Sequence, residues 1–183
     1  MKIVLIGFMG TGKSATGKVL ARKLNLSFID TDRLIEERAG QPVREIFRLR
    51  GEPFFRSLEK KTVTGAARKD GVVIAVGGGA VLDPENRSNL KKNGIVVSLL
   101  ASPAEIGKRT AGDDSRPLLN TADNVGARFI APAGSMNRTP TKKIIRKLLA
   151  QRLPLYRKAD ICVDTTGKTP RAVAAEIIER LKL

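Results

Sequence analysis

The stretch "KIVLIGFMGTGKS", Lys2–Ser14, decides the fold. Its opening "KIVLI" (Lys2–Ile6) is a continuous run of β-branched residues and leucine. That is the pattern of a strand buried on both faces. The remainder, "GFMGTGKS", completes G-x-x-x-x-G-K-[ST], with Gly7, Gly12, Lys13 and Ser14 at the fixed positions. Glycines let the backbone curl until successive N–H groups point inward at phosphate oxygens. A helix beginning near Lys13 adds the positive end of its dipole. Lys13 can then reach the β- and γ-phosphates, and Ser14 can offer its hydroxyl to Mg²⁺. A glycine-rich turn of no function is the alternative, but the match is complete and sits between a strand and a helix. The expected ligand is a nucleoside triphosphate, ATP, with Mg²⁺. Gly17 is inside the helix, at a cost of about 1 kcal/mol relative to alanine; close packing against a sheet accounts for it.

Outward from this loop the chain alternates strands and helices. Val19, Leu20 and Leu24 fit a helix from Lys13 to Leu24. "LSFID" (Leu26–Asp30), "GVVIAV" (Gly71–Val76), "GIVVSLL" (Gly94–Leu100) and "ADICVDT" (Ala159–Thr165) are the further strands. Helical patterns resume around Leu34 and from Val43 to Ala67. Asp83-Pro84 and Ser102-Pro103 each pair a capping side chain with proline at the first helical position. "TPRAVAAEIIERLKL" is a capped amphipathic helix with Val173, Ile177 and Leu181 on one stripe. Such alternation builds right-handed βαβ units and a parallel sheet covered on both sides. The segment from Thr110 to about Thr139, rich in Gly, Pro, Asn and Asp, fits no element; a loop of that length is a functional lid or a disordered insertion.

Composition bounds the function. The 183 residues suit one domain with an adequate core. Lys2–Ile6 is too short for a signal peptide, and no apolar run reaches the length of a membrane span. A lone cysteine, Cys162, cannot form an internal disulfide. A cytoplasmic protein with no membrane partner is therefore expected. The net charge of +16 suits nucleic acid, an anionic membrane or anionic small molecules. Aromatic residues make up only 4% and tryptophan is missing, so stacking platforms for bases are poorly supplied. A solvated basic surface accounts for most of the cations, and a minority can line a pocket for phosphates and carboxylates. With no histidine in the chain, proton transfer near neutral pH falls to a carboxylate, a lysine, Tyr156 or Cys162.

Beyond the phosphate loop, several residues mark an acceptor. Asp30 and Asp32 follow the second strand, where residues of a parallel sheet line the ligand crevice. Period-two geometry aims both the same way if the extended backbone continues. One carboxylate can assist the metal and the other can take a proton from an attacking hydroxyl. Helix capping is the competing reading, and for Thr31 the preferred one. Arg56, beside Phe54 and Phe55 in "GEPFFRSLE", is suited to a bidentate grip on a carboxylate; a surface arginine is the bland reading. Gly77, Gly78 and Gly79 close the third strand, where bare backbone permits a tight turn or the close approach of a ligand.

Taken in order, "GFMGTGKS", "FIDTD", "GEPFFRSLE", "VGGGAV", "SRPLL" and "RLPLYRKAD" resemble the shikimate kinases, within the nucleoside-monophosphate-kinase-like P-loop proteins. The resemblance covers nearly the whole chain. It implies a three-layer α/β/α fold with a five-stranded parallel sheet and a mobile lid. One kinase domain spans 1–183, with a core over 1–109 and 140–183, an acceptor-binding helical region over about 31–64 and the lid over about 110–139. The implied reaction is transfer from ATP to the 3-hydroxyl of shikimate. Lys13, Asp32 and Arg116 take the catalytic roles, Asp32 binding the ring hydroxyls and Arg116 swinging over the phosphates. The nucleotide falls to Gly10, Thr11, Gly12, Lys13, Ser14 and Ala15, with Arg109, Arg116 and Lys168. The acceptor falls to Asp32, Arg56, Gly77, Gly78, Gly79 and Arg152, the two arginines pairing with its carboxylate. Ser14 and Asp30 stand nearest Mg²⁺. A monomer without nucleic-acid partners is expected. One departure from the family is "NTADNVGARFIAPAGSMNR" (Asn120–Arg138), which reads as additional sequence that lengthens the lid, covers the site differently or is disordered.

Three rivals remain at this stage. A gluconate or nucleotide kinase can use the same scaffold, although no base-binding region for an acceptor nucleotide is evident and an uncharged sugar needs neither Arg56 nor Arg152. A basic nucleic-acid-binding ATPase predicts steeply salt-dependent binding. A regulatory ATP-binding protein predicts no turnover.

Overall fold

The computed structural model describes residues 1–111 and 142–182. Five strands form one sheet: β1 (Lys2–Gly7), β2 (Ser27–Asp30), β3 (Val72–Ala75), β4 (Ile95–Leu100) and β5 (Ile161–Asp164). Their order is β2-β3-β1-β4-β5, and every pairing is parallel. The helices are α1 (Lys13–Lys23), α2 (Thr31–Ala39), α3 (Val43–Ala67), α4 (Pro84–Lys91), α5 (Pro103–Thr110), α6 (Lys142–Tyr156) and α7 (Pro170–Leu181). All the strands expected from the sequence are present; β1 runs one residue further than expected, and the other four are shorter by one to three residues.

Strand periodicity divides the core into two layers. In β1, Val4 and Ile6 face one side and Ile3 and Leu5 the other. Val4 and Ile6 pack in one cluster with Val63 of α3, Leu90 of α4 and Ile145 and Tyr156 of α6. Ile3 and Leu5 pack with Leu20 of α1 and with Val173 and Ile177 of α7. The result is a three-layer α/β/α sandwich. Burial of each such aliphatic side chain contributes about 1.5–3 kcal/mol before entropy is counted. Gly17 sits where α1 crosses the sheet: a Cβ there would run into the Phe28 ring and lie 3.2 Å from Leu5 Cδ1. A smaller cluster of Ile35, Ile46, Phe47 and Phe55 joins α2 to α3 beside the main body.

The caps read from the sequence hold at α4, α5 and α7, where Thr169 accepts from the amide of Ala172, and move at α2. Asp83 accepts from the amides of Glu85 and Asn86, and Ser102 from that of Glu105, each with proline next. At α2, however, the cap is Asp30, which accepts from the amides of Asp32 and Arg33. Thr31 is the first helical residue, and its hydroxyl instead accepts from the amide of Gly77 at 3.0 Å. The extended backbone therefore ends at Asp30, and Asp32 belongs to a helix. The long helical pattern over 43–67 is also broken, at Gly51 with φ 78° and ψ 171°, two residues before Pro53. Among the described residues no helix is long and apolar enough to cross a membrane.

The strand order positions the site. From β1 the chain runs outward to β2 and returns to place β3 between them, then passes to β4 on the other side of β1. The order reverses at β1, so a crevice opens beyond its C-terminal end. That end leads into the glycine-rich loop before α1.

Candidate active site

A cavity of about 490 Å³ lies at this point. Its walls include Gly10, Gly12, Lys13, Ser14 and Ala15 from the loop and the start of α1. Gly12, with φ 88°, starts α1 from a left-handed conformation that favours glycine. Thr11 is buried within the loop, its hydroxyl donating to the Phe8 carbonyl at 2.7 Å. The Lys13 amine is also buried and donates to the Gly7 and Phe8 carbonyls at 2.9 and 3.0 Å. The lysine charge is thus folded back over the loop, at the mouth of a helix N-terminus.

Asp30 does double duty. One carboxylate oxygen caps α2, and the other accepts the Ser14 hydroxyl at 2.5 Å. A hydroxyl and a carboxylate in contact on the cavity wall are hard oxygen donors, the type Mg²⁺ takes when it arrives with phosphates. The residues present therefore fit the metal. Arg109 also lines the cavity and is pinned on three sides. It donates to Glu105 at 2.8 Å, to the Thr165 carbonyl at 2.7 Å and to the Gly10 carbonyl at 3.4 Å. Lys168 is not on the cavity wall; its amine donates to Glu176 at 2.7 Å. Arg116, the lid over 110–139 beyond Ala111 and the additional stretch 120–138 lie outside the described residues.

The cavity is also lined by the glycine turn, α2, α3 and α6, with Asp32, Arg56 and Arg152 among the side chains. Each of the three glycines is crowded by a different element. A Cβ on Gly77 would run into the Asp32 carboxylate, and one on Gly79 would lie 2.6 Å from both terminal nitrogens of Arg56. On Gly78 it would lie 3.3 Å from the Gly7 carbonyl oxygen and the Met9 amide nitrogen. The bare backbone admits the site's own acid, arginine and phosphate loop.

Arg56 lies over the Phe55 ring, 5.3 Å from its centroid, whereas Phe54 points outward under Arg50. The Arg56 guanidinium donates to Glu59 at 2.6 Å and to Glu52 at 3.0 Å. Burial pushes the Glu59 carboxyl up to about 7, outweighing the opposing pull of Arg56. Burial also works against the Arg56 charge, but Glu59 and Glu52 outweigh it and hold that pKa above the ordinary value. Arg152 is 4% exposed and lies over the Phe8 ring at 5.6 Å. Its Nη1 is buried with no hydrogen-bond partner among the described residues.

Sequence reasoning passed over Glu59 and gave Tyr156 only as a candidate for proton transfer. Glu59 stands three positions after Arg56, on the same helical face, and that spacing was a usable signal. Tyr156, in "RLPLY", donates its hydroxyl to the Gly78 carbonyl at 2.6 Å. Nothing local to residue 156 announces that bond.

A phosphate loop and two arginines, Arg56 half-buried and Arg152 buried, on the walls of one cavity beyond a sheet of this order lay out a P-loop small-molecule kinase of the nucleoside-monophosphate-kinase-like class. Similarity to known proteins narrows the class. The family model described as Shikimate kinase matches residues 9–182. A shikimate kinase from Moorella thermoacetica is 47% identical over 180 residues, covering 98% of this chain and 94% of that one. One from Caldanaerobacter subterraneus subsp. tengcongensis is 45% identical over 176 residues, covering 96% and 93%. Among solved structures, the shikimate kinase from Acinetobacter baumannii in complex with shikimate superposes with a TM-score of 0.86 at 32% identity, covering 99% of this chain and 92% of that one. That from Bacteroides thetaiotaomicron superposes with a TM-score of 0.82 at 31% identity, covering 100% and 99%. The chain belongs to the shikimate kinase family, enzymes that phosphorylate shikimate with ATP.

Proposed function

We propose that this cavity holds ATP and shikimate together and passes the γ-phosphoryl group to the 3-hydroxyl of shikimate. The observation that carries the acceptor assignment is the Arg152 guanidinium, buried on the cavity wall with one nitrogen lacking a hydrogen-bond partner among the described residues. A buried cation in that condition is stabilised by an anion that supplies the missing acceptor, and the shikimate carboxylate is one. Arg56, on the same wall, shares the grip while Glu59 and Glu52 hold its guanidinium in plane. With the carboxylate fixed, the ring is held so that its 3-hydroxyl turns toward the phosphate loop. Gly77, Gly78 and Gly79 form the wall against which the ring lies.

Catalysis is then positioning and charge stabilisation. Asp32 orients the 3-hydroxyl and takes its proton as the new O–P bond forms and the bond to ADP breaks. Lys13 leaves the Gly7 and Phe8 carbonyls for the phosphate oxygens and stabilises charge there. Gly10, Gly12 and Ala15 shape the phosphate cradle, and Arg109 borders the nucleotide. Ser14 and Asp30 would hold Mg²⁺, which supplies neutralisation of phosphate charge when bound. Residues 31–64 serve as the acceptor-binding region of a single kinase domain. The same reading has the protein as a cytoplasmic monomer that uses no nucleic acid.

A coupled ADP-release assay tests this. With Mg²⁺ and ATP, shikimate should support turnover, whereas gluconate, nucleoside monophosphates and nucleic acid should leave release at its acceptor-free level. Turnover with gluconate or a nucleotide in place of shikimate would refute the assignment.

A further inference from the structure

Tyr156 is the largest fully buried side chain among the described residues. A phenol so placed must satisfy its hydroxyl or lose much of what its ring gains. The hydroxyl does so by reaching across 78 positions of sequence to donate to the Gly78 carbonyl at 2.6 Å. Burial pushes the phenol up to about 12, so it remains a donor throughout the neutral range. Arg152, one turn earlier on α6, works against that shift by its charge. Gly78 in turn packs against the phosphate loop: a Cβ added there would lie 3.3 Å from the Gly7 oxygen and the Met9 nitrogen. One hydroxyl thus touches the helix that carries Arg152 and the turn that lies on the loop carrying Lys13.

We propose that Tyr156 is a positioning residue for the acceptor: through the Gly78 carbonyl, its hydroxyl sets the separation between Arg152 and the phosphate loop. This rests on the reading of the cavity as the shikimate and ATP site. Tyr156 itself touches neither substrate. It keeps the carboxylate grip in register with the phosphate, where a shift of about 1 Å is enough to cost on the order of 10²-fold in rate. Replacing Tyr156 by phenylalanine keeps the ring and its packing and removes only the clasp.

The test is steady-state kinetics of the full chain with shikimate and ATP varied separately. Tyr156→Phe is compared with Leu148→Ala, which weakens the packing of the same helix against the same core cluster. Tyr156→Phe should lower kcat/KM for shikimate about five- to tenfold, the equivalent of one net hydrogen bond, and leave the KM for ATP within twofold. Leu148→Ala should lower the melting temperature and leave both KM values within twofold. Tyr156→Met, which also keeps an apolar side chain and removes the hydroxyl, should reproduce the shikimate-side defect, and it keeps the test decisive should Tyr156→Phe not fold. Wild-type kinetics in the foldable variants of this pair, equal losses for both substrates, or a matching defect in Leu148→Ala would overturn the proposal. A wild-type chain that does not phosphorylate shikimate would instead overturn the function on which the proposal rests.

Discussion

The two ends of β1 each carry a buried lysine. Lys2, at the start of the strand, is 4% exposed, and Lys13, past its end, is 9% exposed. Both amines donate to two backbone carbonyls. Lys2 bonds Ala67 at 2.6 Å and Lys92 at 2.7 Å, while Lys13 bonds Gly7 at 2.9 Å and Phe8 at 3.0 Å. Burial and hydrogen bonding therefore do not tell a structural lysine from one proposed to act on phosphate. The difference lies in the partners. Ala67 is the last residue of α3 and Lys92 caps α4, so Lys2 satisfies helix-terminal carbonyls and complements two helix dipoles. These partners lie 65 and 90 positions away, and the contact staples the fold. The partners of Lys13 lie six and five positions away, in a loop on the wall of an open cavity. Such local bonds can be exchanged for a ligand's oxygens without moving a helix.

The sharpest way to break this comparison is to remove each amine. Lys13→Ala should lower turnover with shikimate by about 10³-fold, the scale for loss of a preorganised donor at developing charge, with little change in melting temperature. An unaltered rate would remove Lys13 from the chemistry. A second prediction concerns charge at the cavity end. The Glu59 carboxyl sits near 7 in the folded protein, above its value of 4.5 in the unfolded chain. Its favourable contribution is therefore complete below pH 4.5 and is lost as pH rises to about 7. Across that window the wild type should lose up to about 3 kcal/mol relative to Glu59→Gln, with no further divergence above it. Denaturant titrations of both proteins at several pH values measure this; parallel profiles would show that Glu59 stays ionised throughout.

Lys2→Met should have the smallest effect and the opposite signature to Lys13→Ala. Stranding two carbonyls costs about 2 kcal/mol, and for a chain of this size the melting temperature should fall by roughly 4–8 °C. The values of kcat and both KM should stay as in wild type. A kinetic defect approaching that of Lys13→Ala would dissolve the distinction between the two ends of the strand.

Much of the architecture was legible because it follows local rules. The alternation of Ile3, Val4, Leu5 and Ile6 between two layers is strand periodicity written into four consecutive residues. The Asp83 and Ser102 caps are contacts within three residues. The phosphate loop needed only its own glycines and the helix that follows. Reading failed where a nearby residue competed for the same job. Thr31 and Asp30 can both cap α2, and Asp30 takes the cap because Thr31 is drawn to Gly77, across 46 positions. The three glycines were legible as a close approach, but not as one that admits Asp32, Arg56 and the phosphate loop.

The amino-acid sequence alone determined a parallel sheet with a nucleotide cradle after its first strand, since both arise from hydrogen bonds and side-chain periodicities confined to neighbouring residues. Tertiary structure decided what the cradle faces. Placing β3 between β1 and β2 brings the glycine turn against the phosphate loop, and α6 then reaches Gly78 through Tyr156. These contacts join residues tens of positions apart. They form only when burial of both sheet faces selects one strand order, so no local pattern could encode them.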